Sequence, residues 1–181
     1  MVTTDNIAVG ILGTEHLIRL GHKRIGHLKG TVTSTSRERL EGYKQALNRN
    51  NIAVEKSLIK ECGLMESDGY DAMKAWIKEG NLPSAIFAVN DPTAIGAMQA
   101  LDEAGIRVGE DLALVGGGNI HYGDMLKIPL TTVSWSRSEM GHAASCPAYR
   151  EQWQQRLRES KGDTLPESHH SEVLRCKQCE K

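Results

Sequence analysis

The sequence predicts an α/β fold built on a doubly wound, mostly parallel sheet. Short apolar or β-branched runs alternate with segments of helical periodicity, and glycine, asparagine or aspartate follows several of the short runs. This alternation favours parallel strands joined by right-handed helical crossovers. Five strands in such a unit most often take the order 2-1-3-4-5. The predicted strands lie at 24–28, 57–62, 84–89, 112–116 and 130–133.

Helical periodicity predicts four helices, and local signals predict their ends. The second helix opens with the capping-box spacing of Thr35 to Glu38, and the third is followed by Gly80 as a stop. The fourth opens with Asp91 as the expected N-cap and Pro92 at its first position, and Ile95, Met98 and Leu101 form its expected buried face. The predicted helices lie at 6–20, 36–50, 68–80 and 92–104.

Composition excludes several classes of protein. The 22 Lys and Arg residues against 23 Asp and Glu give a net charge of -1, which argues against a surface that tracks nucleic-acid phosphates. No apolar run approaches the roughly 20 residues needed to span a bilayer, and the first twenty residues do not resemble a secretory signal. Four unevenly spread cysteines do not form a disulfide framework. We therefore expect a cytoplasmic globular protein.

The predicted topology locates a ligand site before any family is considered. Ligands of open α/β sheets bind outside the carboxyl ends of the strands, at the point where the strand order reverses. In this chain those ends are the loop 30–39, the turn Asn90-Asp91 and the turn 116–119. The glycines of the last turn could cradle a phosphate, but they do not complete the dinucleotide-binding pattern, so a nucleotide site is a weak interpretation.

Two residues at these ends have side chains suited to ligand binding. Arg39 could hold paired hydroxyls or a carboxylate through its guanidinium, and the alternative is a solvent-exposed arginine. The amide of Asn90 suits a sugar or amide ligand, and the alternative is a role in the turn before the fourth helix. No set of nucleophile, base and orienting group is evident, so an enzyme is disfavoured.

The tail contains residue types found in zinc sites. Cys176 and Cys179 form a CxxC pair, and His169 and His170 precede them. This spacing is not that of a standard zinc finger, and a weakly packed tail is the alternative. We expect no resident metal and no cofactor.

Six ordered motifs resemble LacI/GalR-family transcriptional regulators. They include the stretch HLIRLGHKRI, the helix start RLEGY, the segment PSAIFAVND and the run LTTV. The resemblance spans about residues 2–144, and residues 172–175 weakly resemble the family's last strand. The motifs lie at 5–6, 16–25, 39–43, 83–91, 105–111 and 130–133.

The resemblance implies a domain organisation. Family members have a helix-turn-helix headpiece followed by a two-lobed effector domain, and residues 1–135 are similar to the C-terminal lobe, a periplasmic-binding-protein-like I fold. Residues 136–160 are similar to a helix that packs on the other lobe, and we expect 161–181 to be a poorly ordered tail. We expect operator DNA to be bound only through a headpiece that this sequence does not include.

The resemblance also implies the residues of a ligand site. Arg39 and Asn90 correspond to residues that hold polar groups of the effector, whereas Asp91 is expected only to cap its helix. Two positions depart from the family pattern: Gly118 replaces a ligand-anchoring Asp, and Trp135 replaces a polar residue and could offer a stacking face. The expected ligand-binding residues are Thr33, Thr35, Arg39, Leu64, Asn90, Gly118 and Trp135.

The expected function is therefore the effector-binding and dimerisation part of a LacI/GalR-type transcription regulator. The effector is expected to be a sugar or a related metabolite, and no membrane partner is expected. The alternative is a fragment of a periplasmic sugar-binding protein of an ABC importer, which has the same lobe fold. A homodimer is expected to use Leu64, Met65, Tyr122 and Met125, although these residues could instead line the mouth of the cleft.

Overall fold

The computed structural model of the chain describes residues 4–134 and 174–175. Within those ranges, the helices are too short and too polar for any of them to cross a membrane. Short 3-10 helices at Lys56–Leu58 and Gly123–Met125 complete the helical structure. The four α-helices are α1 (Asn6–Arg19), α2 (Ser34–Arg49), α3 (Glu66–Glu79) and α4 (Asp91–Glu103). The strands are β1 (Ile25–Lys29), β2 (Ile59–Glu61), β3 (Ala85–Ala88), β4 (Ala113–Gly117), β5 (Thr131–Val133) and β6 (Leu174–Arg175).

The six strands form one sheet in the order β2-β1-β3-β4-β5-β6. The first five are parallel, so the predicted doubly wound sheet with the order 2-1-3-4-5 is confirmed. Strand β6 adds an antiparallel edge, with Leu174 opposite Val133 and Arg175 opposite Thr132. This strand lies within the predicted tail 161–181. The predicted helix 136–160 and the Cys176–Cys179 pair lie outside the described residues.

Helices cover both faces of the sheet, and alternate residues of β3 point to opposite faces. Ile86 packs with Trp76 of α3 and Leu101 of α4 in one core cluster. Phe87 packs with Leu17 of α1 and Tyr43 of α2 in the other. The sheet is therefore buried on both faces, as parallel sheets require.

Helices α1 and α2 cross at a pair of glycines. A Cβ atom built on Gly42 would lie 2.1 Å from the carbonyl oxygen of Ile7, and one built on Gly10 would lie 2.3 Å from that of Arg39. Such distances are below any van der Waals contact, so both positions require glycine. The crossing brings the segment of α2 from Arg39 to Gly42 directly against α1, and this fixes where Arg39 enters the structure.

Helices α3 and α4 cross on the other face in the same way. A Cβ atom built on Gly96 would lie 1.8 Å from the carbonyl oxygen of Glu66. The predicted buried face of α4 is therefore only partly right: Leu101 is fully buried, whereas Ile95 and Met98 are half-buried. Because the crossing leaves room only for small groups, the fully buried positions also include Thr93, Ala94, Gly96, Ala97 and Ala100.

Three predicted helix starts are wrong by one or two residues, and one of these helices, α3, begins at Glu66 rather than at 68. Helix α2 begins at Ser34, and the side chain of Thr33, rather than that of Thr35, accepts the capping hydrogen bond from the backbone N–H of Ser36. Helix α4 is capped by Asn90 and not by Asp91. The change of cap in α4 leaves the Asp91 carboxylate available for other contacts. The predicted stop of α3 at Gly80 is confirmed, with φ 71°.

His27 is buried in an aromatic stack inside the α1–α2 face. Its imidazole lies between Tyr43 and Phe87, with ring centroids 5.2 and 5.1 Å away. Its Nδ1 lies 2.8 Å from the carbonyl oxygen of Phe87, to which it must donate, while Nε2 has no hydrogen-bond partner. Complete burial lowers the pKa of His27 to about 4, because the charged form would lose its hydration.

This burial predicts an acid-sensitive stability. The unfolded chain protonates the His27 side chain near pH 6.5, whereas the folded chain does so only near pH 4. The free energy of unfolding should therefore fall as the pH decreases through that window, by about 3 kcal/mol from this group. Urea unfolding at several pH values should show a flatter profile for His27→Phe. Substitution of the exposed His121 is the control, and a profile unchanged by His27→Phe would refute the prediction.

Candidate functional site

The carboxyl ends of β1, β3 and β4 lie side by side, because these strands are neighbours in the sheet. The loops that follow β1 to β4 carry most of the predicted ligand-binding residues to this edge. Trp135, which was also predicted, lies outside the described residues. We call this region the carboxyl edge.

Arg39 lies at the carboxyl edge with only 4% of its surface exposed, so its interpretation as a solvent-exposed arginine is wrong. Its Nη1 donates to the carbonyl oxygens of Val89 and Gly117, the latter at 2.9 Å, and its Nε donates to Asn6 Oδ1 at 3.2 Å. Burial lowers the pKa of Arg39 to about 10, and the charge of Asp91 opposes this shift. The guanidinium thus joins the ends of two strands to α1.

Asn6 extends this contact to the start of α1. While Oδ1 accepts from Arg39, its Nδ2 donates to Glu38 Oε2 at 3.1 Å. The side chain of Asp5 accepts from the backbone N–H of Ala8 and caps the helix, which leaves the Asn6 amide free to point inward. Sequence reasoning missed this residue. A polar side chain next to an N-cap and followed by an apolar helix is a signal that could have indicated it.

Asp91 is a buried carboxylate near Arg39 rather than a helix cap. It is 1% exposed, and its Oδ1 accepts from Thr132 Oγ1 at 2.6 Å. Its Oδ2 accepts from the backbone N–H of Ile120 at 2.7 Å. The carboxylate therefore fixes the loop after β4 and the side of β5, and its negative charge lies near the buried cation.

The three glycines at the end of β4, Gly116 to Gly118, pass directly beside the side chains of Arg39 and Asp91. A Cβ atom built on Gly116 would lie 2.4 Å from Asp91 Oδ1, and one on Gly117 would lie 3.1 Å from Arg39 Nη1. A Cβ atom on Gly118 would lie 3.2 Å from Asp91 Oδ2. The glycines make room for the two buried charged groups, and this role accounts for the turn without a phosphate.

Asn90 uses both halves of its amide inside the protein, as the turn interpretation implies. Its Oδ1 accepts from the backbone N–H of Thr93 and its Nδ2 donates to the carbonyl oxygen of Leu64, both at 2.9 Å. The Leu64 side chain in turn covers the end of β1, because a Cβ atom on Gly30 would lie 2.5 Å from Leu64 Cδ2. Leu64 is thus held at the carboxyl edge by its backbone and by its side chain.

Hydroxyl groups from the start of α2 form the rim of the same edge. Thr33 Oγ1 caps the helix and lies 2.9 Å from Ser36 Oγ. Thr33 is exposed and Thr35 is half-buried. Val32 is 81% exposed beside them. The rim therefore offers the hydroxyl groups of Thr33 and Thr35 and the apolar surface of Val32 near the buried Arg39 and Asp91.

A cavity in the described part of the chain lies away from the carboxyl edge. It has a volume of about 270 Å³ and is lined by the end of α1 and the beginnings of β4 and β5, including Leu17, Leu114 and Pro129. This is the amino edge of the sheet, opposite the strand ends where open α/β folds bind ligands. We therefore place the candidate site at the carboxyl edge, where the predicted residues converge.

The fold and the carboxyl edge together define an α/β ligand-binding lobe. A family model described as the periplasmic binding protein-like domain matches residues 14–146. The chain belongs to the periplasmic binding protein-like domain family. The relatives described below include repressors and LacI-family regulators.

Two of the curated relatives that match this chain carry the same name. The HTH-type transcriptional repressor PurR of Haemophilus influenzae (strain PittEE) is 38% identical over 136 residues, which are 75% of this chain and 40% of the relative. The repressor of the same name from Pasteurella multocida (strain Pm70) is also 38% identical over 136 residues, covering 75% of this chain and 41% of the relative. The chain thus spans about 40% of the length of these relatives.

Solved structures of LacI-family proteins have the same fold. A sugar-binding transcriptional regulator of the LacI family from Escherichia coli, complexed with phosphate, matches with a TM-score of 0.74 at 34% identity, covering 77% of this chain and 50% of that one. The lac repressor dimer bound to operator and the anti-inducer ONPF matches with a TM-score of 0.73 at 32% identity, covering 83% and 52%. The chain is accordingly part of an effector-binding domain.

Proposed function

We propose that this lobe binds the effector, and contributes to dimerisation, in a LacI-type transcription regulator that acts in the cytoplasm. The observation that carries the proposal is the burial of both Arg39 and Asp91 at the carboxyl edge, where Thr33, Leu64 and Asn90 also lie. In the intact protein, an effector would shift the population between lobe arrangements, and operator DNA would be bound by a separate headpiece. The lobe would carry out no catalysis. An importer protein is not favoured, because the curated relatives are repressors.

The effector we propose is a sugar or a related metabolite that meets the hydroxyl and apolar groups of the rim. Thr33 and Thr35 offer hydroxyl groups, and Leu64 offers an apolar surface. Gly118 supplies no side chain, so the acidic contact expected from the resembled family is absent at that position. Arg39 acts in this proposal by holding the strand ends that carry Asn90 and Gly118, in addition to any direct contact.

A ligand screen tests this proposal. The intact regulator should be screened by thermal shift against monosaccharides, disaccharides and purine bases, and hits should be measured by calorimetry. Thr35→Val should lower the affinity about tenfold, since a lost hydrogen bond to ligand is worth about 1.4 kcal/mol. His22→Gln is the control, because His22 lies beside Ser84 at the amino edge. Equal losses in both variants, or a hit bound without loss in Thr35→Val, would show that the ligand binds elsewhere.

The dimer surface we propose is an exposed apolar patch formed by Met65, Tyr122 and Met125. Met65 and Met125 are 67% and 84% exposed, and they are among four large hydrophobic residues so exposed in the described part of the chain. The hydroxyl of Tyr122 donates to Glu66 Oε1 at 3.0 Å, so the loop after β4 and the start of α3 form one surface. Exposed apolar groups of this kind mark partner surfaces.

Sedimentation equilibrium tests the dimer surface. The chain should form a dimer at micromolar concentration, and Met125→Lys should weaken it at least tenfold, because a charge would be buried against an apolar partner. Val32→Lys is a matched control, since Val32 is 81% exposed but lies on the rim of the carboxyl edge. A clean monomer at high micromolar concentration would reject the dimer, and equal weakening by the two variants would reject the patch.

A further inference from the structure

The start of α4 holds two separate loops through two consecutive side chains. Asn90 donates to the carbonyl oxygen of Leu64, in the loop between β2 and α3. Asp91 accepts from the backbone N–H of Ile120, in the loop between β4 and β5. The helix cap uses only Asn90 Oδ1, which accepts from the backbone N–H of Thr93. The Asn90 Nδ2 group and the Asp91 carboxylate are therefore available for these two contacts.

The two loops then meet each other on the outside of the lobe. Glu66 follows Leu64 by two residues, Tyr122 follows Ile120 by two residues, and the Tyr122 hydroxyl donates to Glu66 Oε1 at 3.0 Å. The contacts therefore form a closed path that passes through both loops and the start of α4. We call this closed path the contact ring, and its members are Asn90, Leu64, Glu66, Tyr122, Ile120 and Asp91.

The contact ring has its inner side at the carboxyl edge and its outer side at the exposed patch. On the inner side, Asp91 also accepts from Thr132 Oγ1 and lies near Arg39. On the outer side, the exposed Met65 immediately precedes Glu66, and the exposed Met125 follows Tyr122 by three residues. The contact ring therefore connects the inner side to the patch through both loops.

We propose that Asn90 and Asp91 are positioning residues that hold the two loops as one unit, so that the arrangement of the exposed patch depends on the state of the carboxyl edge. The contact ring transmits this dependence. The inference takes the patch from the proposed function, but it concerns the coupling between the two loops and does not require that the patch forms a dimer.

Methionine methyl NMR on the full chain tests the coupling. Met65 and Met125 report on the two loops, while Met73 and Met98 lie within α3 and α4 and report on the helices. Asp91→Asn replaces one carboxylate oxygen by an amide nitrogen, so either Ile120 N–H or Thr132 Oγ1 loses its acceptor. We expect this change to shift the methyl signals of both Met65 and Met125. The signals of Met73 and Met98 should move less than half as far.

A second substitution shows whether the ring carries the effect. In a Tyr122→Phe background, the shift of Met65 caused by Asp91→Asn should fall by more than half. Tyr70→Phe is the matched control, because Tyr70 donates a similar hydrogen bond to Glu103 at 2.7 Å between α3 and α4. In that background the Met65 shift should keep its full size. An equal Met65 shift in all three backgrounds would overturn the inference, because the loops would then respond independently.

Two further measurements complete the test. If Asp91→Asn does not fold, Thr132→Val, which removes one donor to the same carboxylate, takes its place in the same comparison. Sedimentation of the unsubstituted chain is measured in parallel. A monomer in which Met65 still responds to Asp91→Asn through the ring would reject the dimer and support the contact ring. A dimer in which Met65 does not respond in this way would support the dimer and reject the contact ring.

Discussion

Arg39→Met should lower the free energy of unfolding by about 3 kcal/mol, because it would remove a buried guanidinium whose charge lies near the buried carboxylate of Asp91. It would also leave the carbonyl oxygens of Val89 and Gly117 without their donor. Methionine keeps much of the side-chain volume, so the loss would come from charge and hydrogen bonds. Urea unfolding followed by circular dichroism measures the effect.

Arg37→Met is the matched control for this prediction. Arg37 lies two residues earlier in the same helix and is exposed, so its substitution should change stability by no more than about 0.5 kcal/mol. Similar losses for Arg37 and Arg39 would show that the guanidinium of Arg39 is not the junction described above. A fully stable Arg39→Met variant would lead to the same conclusion.

Gly96→Ala should cost about 3 kcal/mol, at the upper end for overpacking in a core. The added methyl group would lie 1.8 Å from the carbonyl oxygen of Glu66, so α3 and α4 would have to separate. Gly80→Ala is the control, because Gly80 has φ 71° and open space around it and should cost only about 1–2 kcal/mol. If both variants lost the same stability, the close helix crossing would not be the reason for glycine at position 96.

Most of the fold was predictable because the signals are local. Alternating apolar runs and helical stripes indicated five strands and four helices within a few residues of their positions. The helix starts were less predictable, since the stretch 31–36 contains several hydroxyl residues that can each cap a helix. The same ambiguity explains the exchange of roles between Asn90 and Asp91, as both residue types are good caps.

The candidate site was predictable in its position but not in its contacts. Topology indicated that Arg39 and Asn90 would lie at the same edge of the sheet. The partners of Arg39 include the carbonyl oxygen of Gly117, 78 residues away, and Asp91 bonds to Thr132, 41 residues away. No periodicity or spacing in the sequence specifies which backbone carbonyl or hydroxyl a buried charge will meet.

The two glycine crossings have a mechanical consequence for the lobe. At these crossings the helix backbones touch with no side chain between them, so we expect each pair, α1 with α2 and α3 with α4, to move as one stiff plate on its face of the sheet. Compliance is then concentrated in the loops at the carboxyl edge, where β1, β3 and β4 end. A force applied to this lobe by a neighbouring domain would therefore displace those loops before it bent either plate.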